Sequence, residues 1–452
     1  MADVRHRLLA GATHTPAISQ FCPGFFIFQI PYSGLAPSAV IGFTTPVARV
    51  KPYRERPAPV PGVEEQVIGQ RYLRLLEDHL VHLHQQRAHG NRTLFYDHVV
   101  VAHLLAFFNP GLRGLRSLED IFDVPRIRKR FGTPRVPHST LADAQRMFDP
   151  QMLLPLIESL KERAQLQPHD SRLDGLSRQL LAVDGTFFTV ASRIAWAVFN
   201  GSGKGNVKVH LQFDILRGLP EEVALTDGQA GEGRQLRATL QKDRFYLLDR
   251  GYQEYQLLAD ILKVGSDFVV RLRKTAAAEV VEERPLAAAD QAAGVVRDQV
   301  VQLGWRSDQT ARLPPLRRVE VRFVDRHGQA GTIILLTNRL DLPAWMIALL
   351  YQHRWQVELF FRWWKCMAHF RHFFSESPGG MTLQVYVTMI GLLLIAIETG
   401  AKPSKYDYAL MMAAVNGWAP LEEILEVAAR RRAERARAAE WQRAYNAQKK
   451  NR

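Results

Sequence analysis

Cysteine is nearly absent from this chain, whose 452 residues include only Cys22 and Cys366. Two cysteines so far apart in the sequence build neither a disulfide framework nor a cysteine-rich zinc cluster. Their scarcity indicates a reducing compartment, and the cytoplasm is the location that we expect.

Charged residues are missing from residues 8–48, a stretch that is rich in Pro and Gly. Prolines interrupt its apolar residues, which argues against a signal peptide. Among them are Pro16, Pro23, Pro31 and Pro37. The run RERPAPVPGVEEQ follows and is typical of a linker. We therefore expect residues 1–62 to be a poorly structured extension, or translated sequence upstream of the usual start.

A long apolar run is also lacking, since a membrane span needs about 20 consecutive apolar residues. The best candidate is MTLQVYVTMIGLLLIAI, residues 381–397, which contains two Thr and one Gln and follows two glycines. This composition favours a buried core helix, and we expect no membrane partner.

Positive charge, by contrast, is abundant: the formal net charge is +14. Such a balance favours a polyanionic partner, although ribosomal and membrane-surface proteins share it. Hydrophobic residues make up 47% of the chain, enough for extensive cores. A chain of this length is expected to hold about two to four domains.

The most informative run is YQHRWQVELFFRWWK, residues 351–365. Read as one helix, it places four polar side chains within an arc of about 60°, while its other faces are mostly apolar. These residues are Tyr351, Arg354, Glu358 and Lys365. Such a stripe suggests a groove for a phosphate chain, with the carboxylate directed at an accompanying metal ion. The alternative is a solvent-exposed Arg354–Glu358 pair, since i,i+4 ion pairs are common.

Two strand-like runs carry an aspartate that is followed by glycine within two residues. QLLAVDGTFFTV contains Asp184, and FYLLDRGYQEY contains Asp249. Ligands of open sheets bind at the carboxyl ends of strands, where we expect both aspartates. With Glu358 they would offer three carboxylates to hard cations such as Mg²⁺ or Mn²⁺, which can activate a water or a 3′-hydroxyl. For either aspartate alone, a turn or a helix cap is the ordinary alternative.

The spacing of these residues also identifies a family resemblance. Tyr351, Arg354, Glu358 and Lys365 have the spacing Y-(2)-R-(3)-E-(6)-K. In this they resemble the DDE transposases of bacterial insertion sequences, in the large group that carries this signature. Further runs are similar to that family, from about residue 70 to about residue 400: PHSTLADAQRMFDP at 137–150, VDGT at 183–186, LDRGY at 248–252 and the run from Thr337 to Lys365.

The resemblance implies an α/β fold with an RNase H-like core, a mixed sheet with flanking helices. Residues 179–274 agree with it, since their patterns predict three strands, a helix, a strand, a helix and a fifth strand. A β-rich insertion is implied between the fifth strand and the helix of Glu358. The expected regions are an extension (1–62), a helical, basic domain that binds DNA ends (63–175), the first part of the core (176–274), the β-rich insertion (275–338), the second part of the core (339–400) and a helical, basic C-terminal region (401–452).

The resemblance also implies an activity. Asp184, Asp249 and Glu358 are expected to be catalytic and to hold two Mg²⁺ (or Mn²⁺) ions. Water then cuts the strand at the element's end, and the liberated 3′-hydroxyl attacks a target phosphodiester in line; a hairpin route stays open. Three residues are expected to hold DNA phosphates: Tyr351, Arg354 and Lys365. The expected partners are double-stranded DNA, at the transposon ends and the target, and a second copy in a homodimer, in the bacterial cytoplasm near the nucleoid.

Two basic segments flank the predicted core. PRIRKRFGTPRVPHST would grip transposon-end DNA through its phosphates, or form a solvated basic loop. Its proposed DNA contacts are Arg126, Arg128, Lys129 and Arg130. The tail from Ala429 has nine basic residues against two acidic ones, and its Ala and Arg content favours a helix. That helix would bind DNA or a second protomer, or be a solvated charged helix.

Two further features give weaker signals. The first predicted helix contains four histidines, His79, His82, His84 and His89. No carboxylate or cysteine cluster accompanies them, so we expect no zinc site there. Trp305 is a candidate for stacking on an extruded base, although such a tryptophan is more often part of a core.

Two other functions stay open on the sequence. A nuclease with the same core would cut DNA without joining it. A non-catalytic DNA-binding derivative of a transposase would do neither, although the presence of all three carboxylates argues against decay.

Overall fold

The computed structural model describes most of the chain from Gly69 onward. The described residues are 69–85, 94–131, 135–164, 170–190, 205–227, 230–276, 278–303, 313–324, 329–367, 373–415 and 418–450. The predicted extension of residues 1–62 and Trp305 lie outside these ranges.

Helices precede the first strand, as the sequence predicts. In the described part of the chain they are α1 (Gly69–Gln85), α2 (Tyr96–Phe108), α3 (Leu115–Asp123), α4 (Pro125–Phe131), α5 (His138–Met147) and α6 (Leu154–Arg163). Helix α2 is almost wholly buried, because its run VVVAHLLAFF leaves it no polar face. The basic run PRIRKRF is helix α4 rather than a loop.

The strands form a mixed sheet in an α/β fold. They are β1 (Gln179–Val190), β2 (Gly205–Asp214), β3 (Leu219–Asp227), β4 (Arg244–Leu248), β5 (Asp267–Leu272), β6 (Ala278–Glu283), β7 (Val295–Leu303), β8 (Leu316–Val324) and β9 (Ala330–Thr337). Helix α7 (Glu232–Ala238) lies between β3 and β4, and α8 (Tyr255–Lys263) lies between β4 and β5. The nine strands lie in the order β3-β2-β1-β4-β5-β9-β8-β7-β6. The succession of elements predicted for residues 179–274 is therefore confirmed.

Asp184 lies within β1, and the expectation that it ends a strand is wrong. Strand β1 pairs in parallel with β4 only as far as Val183 and then continues with β2 to Val190. The residues after Gly185, TFFTV, are β-branched or aromatic and favour an extended strand, so β1 outruns the shorter β4. Asp184 nevertheless lies one residue beyond the last parallel pair, which is Val183 with Leu248.

The strands between residues 275 and 338 continue the central sheet. Strands β7, β8 and β9 are antiparallel, as predicted, and β9 pairs with β5. Strand β6 and the short helix α9 (Ala288–Ala292) escape prediction. The reason for β6 is its run AEVVEE, which is half acidic and almost entirely exposed, so that it lacks an alternating apolar face.

In the described residues after the last strand there are five helices: α10 (Ala344–His353), α11 (Trp355–Met367), α12 (Pro378–Thr399), α13 (Lys405–Val415) and α14 (Leu421–Lys450). By length and composition α12 could cross a membrane, but 89% of its apolar window is buried inside the fold. The predicted buried core helix is therefore confirmed. Helix α14 confirms the helical tail, and Trp441 on it is 66% exposed.

Strand β1 separates two apolar cores. Leu180 and Ala182 pack into the core that contains α2, α11 and α12. Leu181 and Val183 pack into the core of α7 and α8 on the other face. Because side chains alternate along a strand, Asp184 belongs to the face that α11 covers.

Candidate active site

Asp184 and Asp249 lie side by side in the fold, because each follows one residue of the last pair in the parallel β1–β4 ladder. Asp184 comes after Val183 in β1, and Asp249 comes after Leu248 in β4. The backbone N–H of Gly185 donates to Oδ1 of Asp184 at 2.8 Å. Asp249 accepts from the next backbone N–H as well and thereby caps a short 3₁₀ turn. The cap that we considered as an alternative is thus present at Asp249, whereas Asp184 lies within a strand and caps neither a turn nor a helix. Both bonds orient the carboxylates at the end of the ladder.

Glu358 approaches from helix α11, but the motif does not form one continuous helix. Helix α10 ends at His353 and α11 begins at Trp355, with Arg354 between them. Arg354 keeps helical torsion angles, φ −53° and ψ −31°, so the helical spacing of the motif is nearly preserved. Periodicity alone does not detect such a one-residue junction.

Arg354 lies between two carboxylates. Its Nη1 is 3.8 Å from Oδ2 of Asp184, and its Nη2 forms an ion pair with Glu358. The i,i+4 pair is therefore present, but it is not on solvent, because Arg354 is only 6% exposed. Its Nε and Nη1 are buried without a hydrogen-bond partner among the described residues.

Tyr351 connects the motif to the second aspartate. Its hydroxyl donates to Oδ1 of Asp249 at 3.5 Å, and its ring lies 5.5 Å from the guanidinium of Arg354. Burial raises the pKa of this phenol. The signature helices thus contact both aspartates, Tyr351 at Asp249 and Arg354 at Asp184. We call Asp184, Asp249 and Glu358 the acidic triad.

Burial and the neighbouring charges shift the pKa of Asp184 strongly. Burial raises the pKa of its carboxyl to about 7, against the opposing effect of Arg354. The carboxylates of Glu358 and Glu232 raise it further. Burial would lower the pKa of Arg354, but Tyr351 and the acidic triad together raise it above its usual range. The site therefore concentrates negative charge around one buried guanidinium.

The acidic triad fits a hard divalent cation by its chemistry. All three members offer carboxylate oxygen, the donor that Mg²⁺ and Mn²⁺ prefer. A cation would favour the ionised form of Asp184, which burial disfavours. Arg354 bridges Asp184 and Glu358, so in this state a guanidinium lies between two of the carboxylates.

A basic cavity of about 330 Å³ is lined in part by Arg250, the residue that follows Asp249. Its lining includes four cationic side chains: Arg250, Arg271, Arg273 and Lys274. None of these four residues is predicted from the sequence as a DNA contact. The basic residues are visible in the sequence, in the run DRG directly after β4 and in the run VVRLRK, which begins in β5. Only the pairing of β4 with β5 brings the two runs to one place.

The other predicted DNA contacts lie on helices α11 and α4. Lys365 is in the last turn of α11 and is partly buried. Arg126 and Lys129 are exposed on helix α4, and Arg128 is half-buried there. Arg130 belongs to the same helix.

The histidines of α1 have a carboxylate neighbour, contrary to expectation, because α1 packs on α2. Nδ1 of His84 lies 3.2 Å from both oxygens of Asp97, and His98 completes the one described group with three such ligand atoms within 4.8 Å of one another. However, the N–H of Phe95 donates to Nδ1 of His98. A neutral His98 then carries its proton on Nε2 and cannot ligate a metal there. We interpret the group as a cap of α2; His89 lies outside the described residues.

Comparisons with known proteins agree with this geometry. Residues 175–394 match the family model described as "Transposase DDE domain". "Putative transposase y4zB" of Sinorhizobium fredii (strain NBRC 101917 / NGR234) is 32% identical over 221 residues, which are 48% of this chain and 60% of that protein. "Probable transposase for insertion sequence element IS5377" of Geobacillus stearothermophilus is 26% identical over 267 residues, 59% of this chain and 68% of that protein. Residues 175–394, which contain the whole acidic triad, thus match the DDE domain of transposases.

Proposed function

We propose that this protein is a DNA transposase that binds the ends of an insertion sequence, cleaves them and joins them to target DNA. The observation that carries the proposal is the placement of Asp184 and Asp249 side by side at the end of the parallel ladder. The signature helices lie over both aspartates through Arg354 and Tyr351. Transposition needs such a cluster, since it consists of two successive phosphoryl transfers at one centre.

The fold supports this proposal. Strands β1 to β5, with α7 and α8, have the succession expected of an RNase H-like core. The strands from β6 to β9 would be the β-rich insertion before the Glu358 helix. In this interpretation the insertion lengthens the core sheet through the β5–β9 pairing.

The acidic triad would hold the divalent cations. Two bound Mg²⁺ (or Mn²⁺) ions would activate the attacking oxygen and stabilise the leaving oxygen of the phosphodiester. Gly185 and the 3₁₀ turn after Asp249 keep the two aspartates oriented. Nε and Nη1 of Arg354 have no hydrogen-bond partner among the described residues, although Nη1 lies 3.8 Å from Asp184. Both donors would be available for a phosphate oxygen once the neighbouring carboxylates bind cations.

Two transfers then complete the reaction. A water molecule attacks the phosphodiester at the element's end, and the broken bond leaves a 3′-hydroxyl. That hydroxyl attacks a target phosphodiester in line and displaces the target's 3′-oxygen, so that one bond forms as another breaks. Tyr351 would hold Asp249 in place, and Lys365 would neutralise a nearby phosphate.

The DNA would pass along the basic side of the site. Arg250 and Arg271 line the basic cavity, where they would contact the phosphate backbone. The exposed cations of α4 would hold the transposon end at a second place. We propose double-stranded DNA and a second copy of the chain as partners, in the bacterial cytoplasm at the nucleoid.

A plasmid assay tests this function against its rivals. The purified protein is incubated with Mg²⁺, a DNA fragment that carries the inverted repeats flanking its own gene, and a supercoiled target plasmid. A transposase yields products in which fragment 3′ ends are joined to the plasmid. A nuclease yields cut DNA without joined products, and a non-catalytic derivative shifts the fragment in a gel without cutting it. Either of the last two results would overturn the proposal.

A further inference from the structure

A fourth carboxylate lies beside the acidic triad. Glu232 is the first residue of helix α7, on the face of β1 opposite to the one that α11 covers. Glu358 and Glu232 thus approach the end of the parallel ladder from opposite faces of the sheet.

Two glycines make room for this carboxylate. A Cβ atom on Gly185 would lie 3.2 Å from Oε1 of Glu232, and one on Gly251 would lie 2.8 Å from its Oε2. A Cβ atom is essentially never found as close as 2.8 Å to another heavy atom, so a side chain at position 251 would displace Glu232. Gly185 follows Asp184 directly, and Gly251 is the second residue after Asp249. The carboxylate of Glu232 therefore lies between the backbone segments that follow the two aspartates.

Lys208 is the present partner of Glu232. Its Nζ lies 2.7 Å from Oε1 of Glu232, and its side chain is only 4% exposed. Four carboxylates thus lie in this neighbourhood, with two buried cations, Arg354 and Lys208, among them. The four carboxylates outnumber the two cations, and this excess of negative charge favours the binding of cations from solution.

We infer that Glu232 is a further carboxylate of the metal site, where it helps to hold a divalent cation between Asp184 and Asp249. The inference rests on the proposed function, because it assigns a residue to the same metal centre. In it, Gly185 and Gly251 are required for the close approach of Glu232. Lys208 neutralises Glu232 until the cation binds, and so competes with the cation.

The test measures Mn²⁺ binding rather than activity. Mn²⁺ is titrated into the full-length protein, and the free ion is followed by its electron paramagnetic resonance signal. Glu232→Gln keeps the size and the contact with Lys208 but removes the charge, so we expect Mn²⁺ affinity to fall by about tenfold or more. Lys208→Met removes the competing cation, and we expect it to raise Mn²⁺ affinity. Glu254→Gln is the matched control, since this exposed glutamate pairs with Arg237 and should bind Mn²⁺ like wild type.

The outcomes separate this inference from the proposed function. If Glu232→Gln binds Mn²⁺ like wild type while Asp249→Asn loses it, the triad stands and the role of Glu232 is wrong. If both Glu232→Gln and Lys208→Met weaken Mn²⁺ binding and lower the melting temperature alike, the pair is only a structural salt bridge. If wild type binds no Mn²⁺, both the inference and the proposed metal-dependent function fail.

Discussion

Val183 and Leu248 form the last pair of the parallel ladder between β1 and β4, and an aspartate follows each of them. This pairing brings Asp184 and Asp249 to one edge, although 65 positions separate them in the sequence. The N–H groups that follow each aspartate bond to its carboxylate and orient it. The register of two strands therefore decides the geometry of the site.

Alanine at any position of the acidic triad should abolish cleavage and leave the binding of end DNA largely intact. Metal ligands serve the chemistry, whereas basic residues supply most of the affinity. We expect the nicking rate in Mg²⁺ to fall by more than about 100-fold. A loss of about 100-fold is the most that is usual for residues that only support a metal ligand, and the triad would bind the metal directly. Gel-shift affinity is measured on the same proteins, with Glu279→Ala on exposed β6 as the control. Near wild-type nicking by any one triad variant would remove that residue from the assignment.

Arg354→Ala and Lys365→Ala should each weaken end-DNA binding and make it less salt-dependent. Each lost phosphate contact lowers the number of released counterions by about one. Arg354 should be the more sensitive position, because its guanidinium can bind a phosphate in a bidentate fork. The measurement is the slope of log affinity against log salt concentration.

Glu358→Gln is the matched variant on the same helix, and it should bind DNA as well as wild type or slightly better. It removes a negative charge from the path of a polyanion without changing shape. If Glu358→Gln binds far more weakly while Arg354→Ala is neutral, the buried Arg354–Glu358 pair is purely structural.

A chain that begins at Gly62 should keep transposition activity and solubility. The removed residues are poor in charge, lack periodicity and end in a Pro-rich run. Soluble yield, melting temperature and strand-transfer activity are compared with those of the full chain. Loss of soluble folding in the shorter chain would contradict the prediction.

Gly391→Ala should destabilise the core between α12 and α2. A Cβ at this position would lie 2.4 Å from Cε1 of Phe107, so the ring or the helix must move. Overpacking of this kind costs about 1–3 kcal/mol, which outweighs a helix-propensity gain of at most about 1 kcal/mol. Urea unfolding measures the difference. Gly379→Ala near the start of the same helix is the control, because its nearest neighbour atom is 3.7 Å away; equal stability of both variants would refute the packing argument.

Glu222→Gln should remove part of the pH dependence of stability. Burial raises the pKa of Glu222 to about 7, against the opposing effect of Lys161. The unfolded chain loses this proton near pH 4.5, so the folded state binds more protons between pH 4.5 and about 7, and wild-type stability falls as pH rises through that window. The free energy of unfolding of the glutamine variant should equal that of wild type near pH 4.5 and exceed it above pH 7. Urea unfolding of both proteins at pH 5 and at pH 8 measures this difference.

Glu162→Gln serves as the control for this pH effect, since Glu162 is exposed on helix α6. An unchanged pH slope in Glu222→Gln would show that Glu222 ionises in the folded protein as it does in the unfolded chain.

The sequence by itself predicted the order of elements in residues 179–274, and it singled out the three carboxylates that we propose as the acidic triad. Strands such as β4 and β5 are short apolar runs between Gly and polar residues, and this pattern is local. The signature spacing from Tyr351 to Lys365 is local as well, since a helix converts spacing into a shared face. Properties that depend on a few neighbouring residues are therefore readable without the fold.

Only the tertiary structure decided which residues meet across long separations. It buried Arg354 between two carboxylates, placed Asp184 within a strand, brought Asp97 to His84 and directed Glu232 between two glycines. Each of these results depends on strand register and helix packing, which bring together segments that are separate in the sequence. Periodicity shows which face a side chain occupies, but the partner on that face is set by the packing of the whole fold.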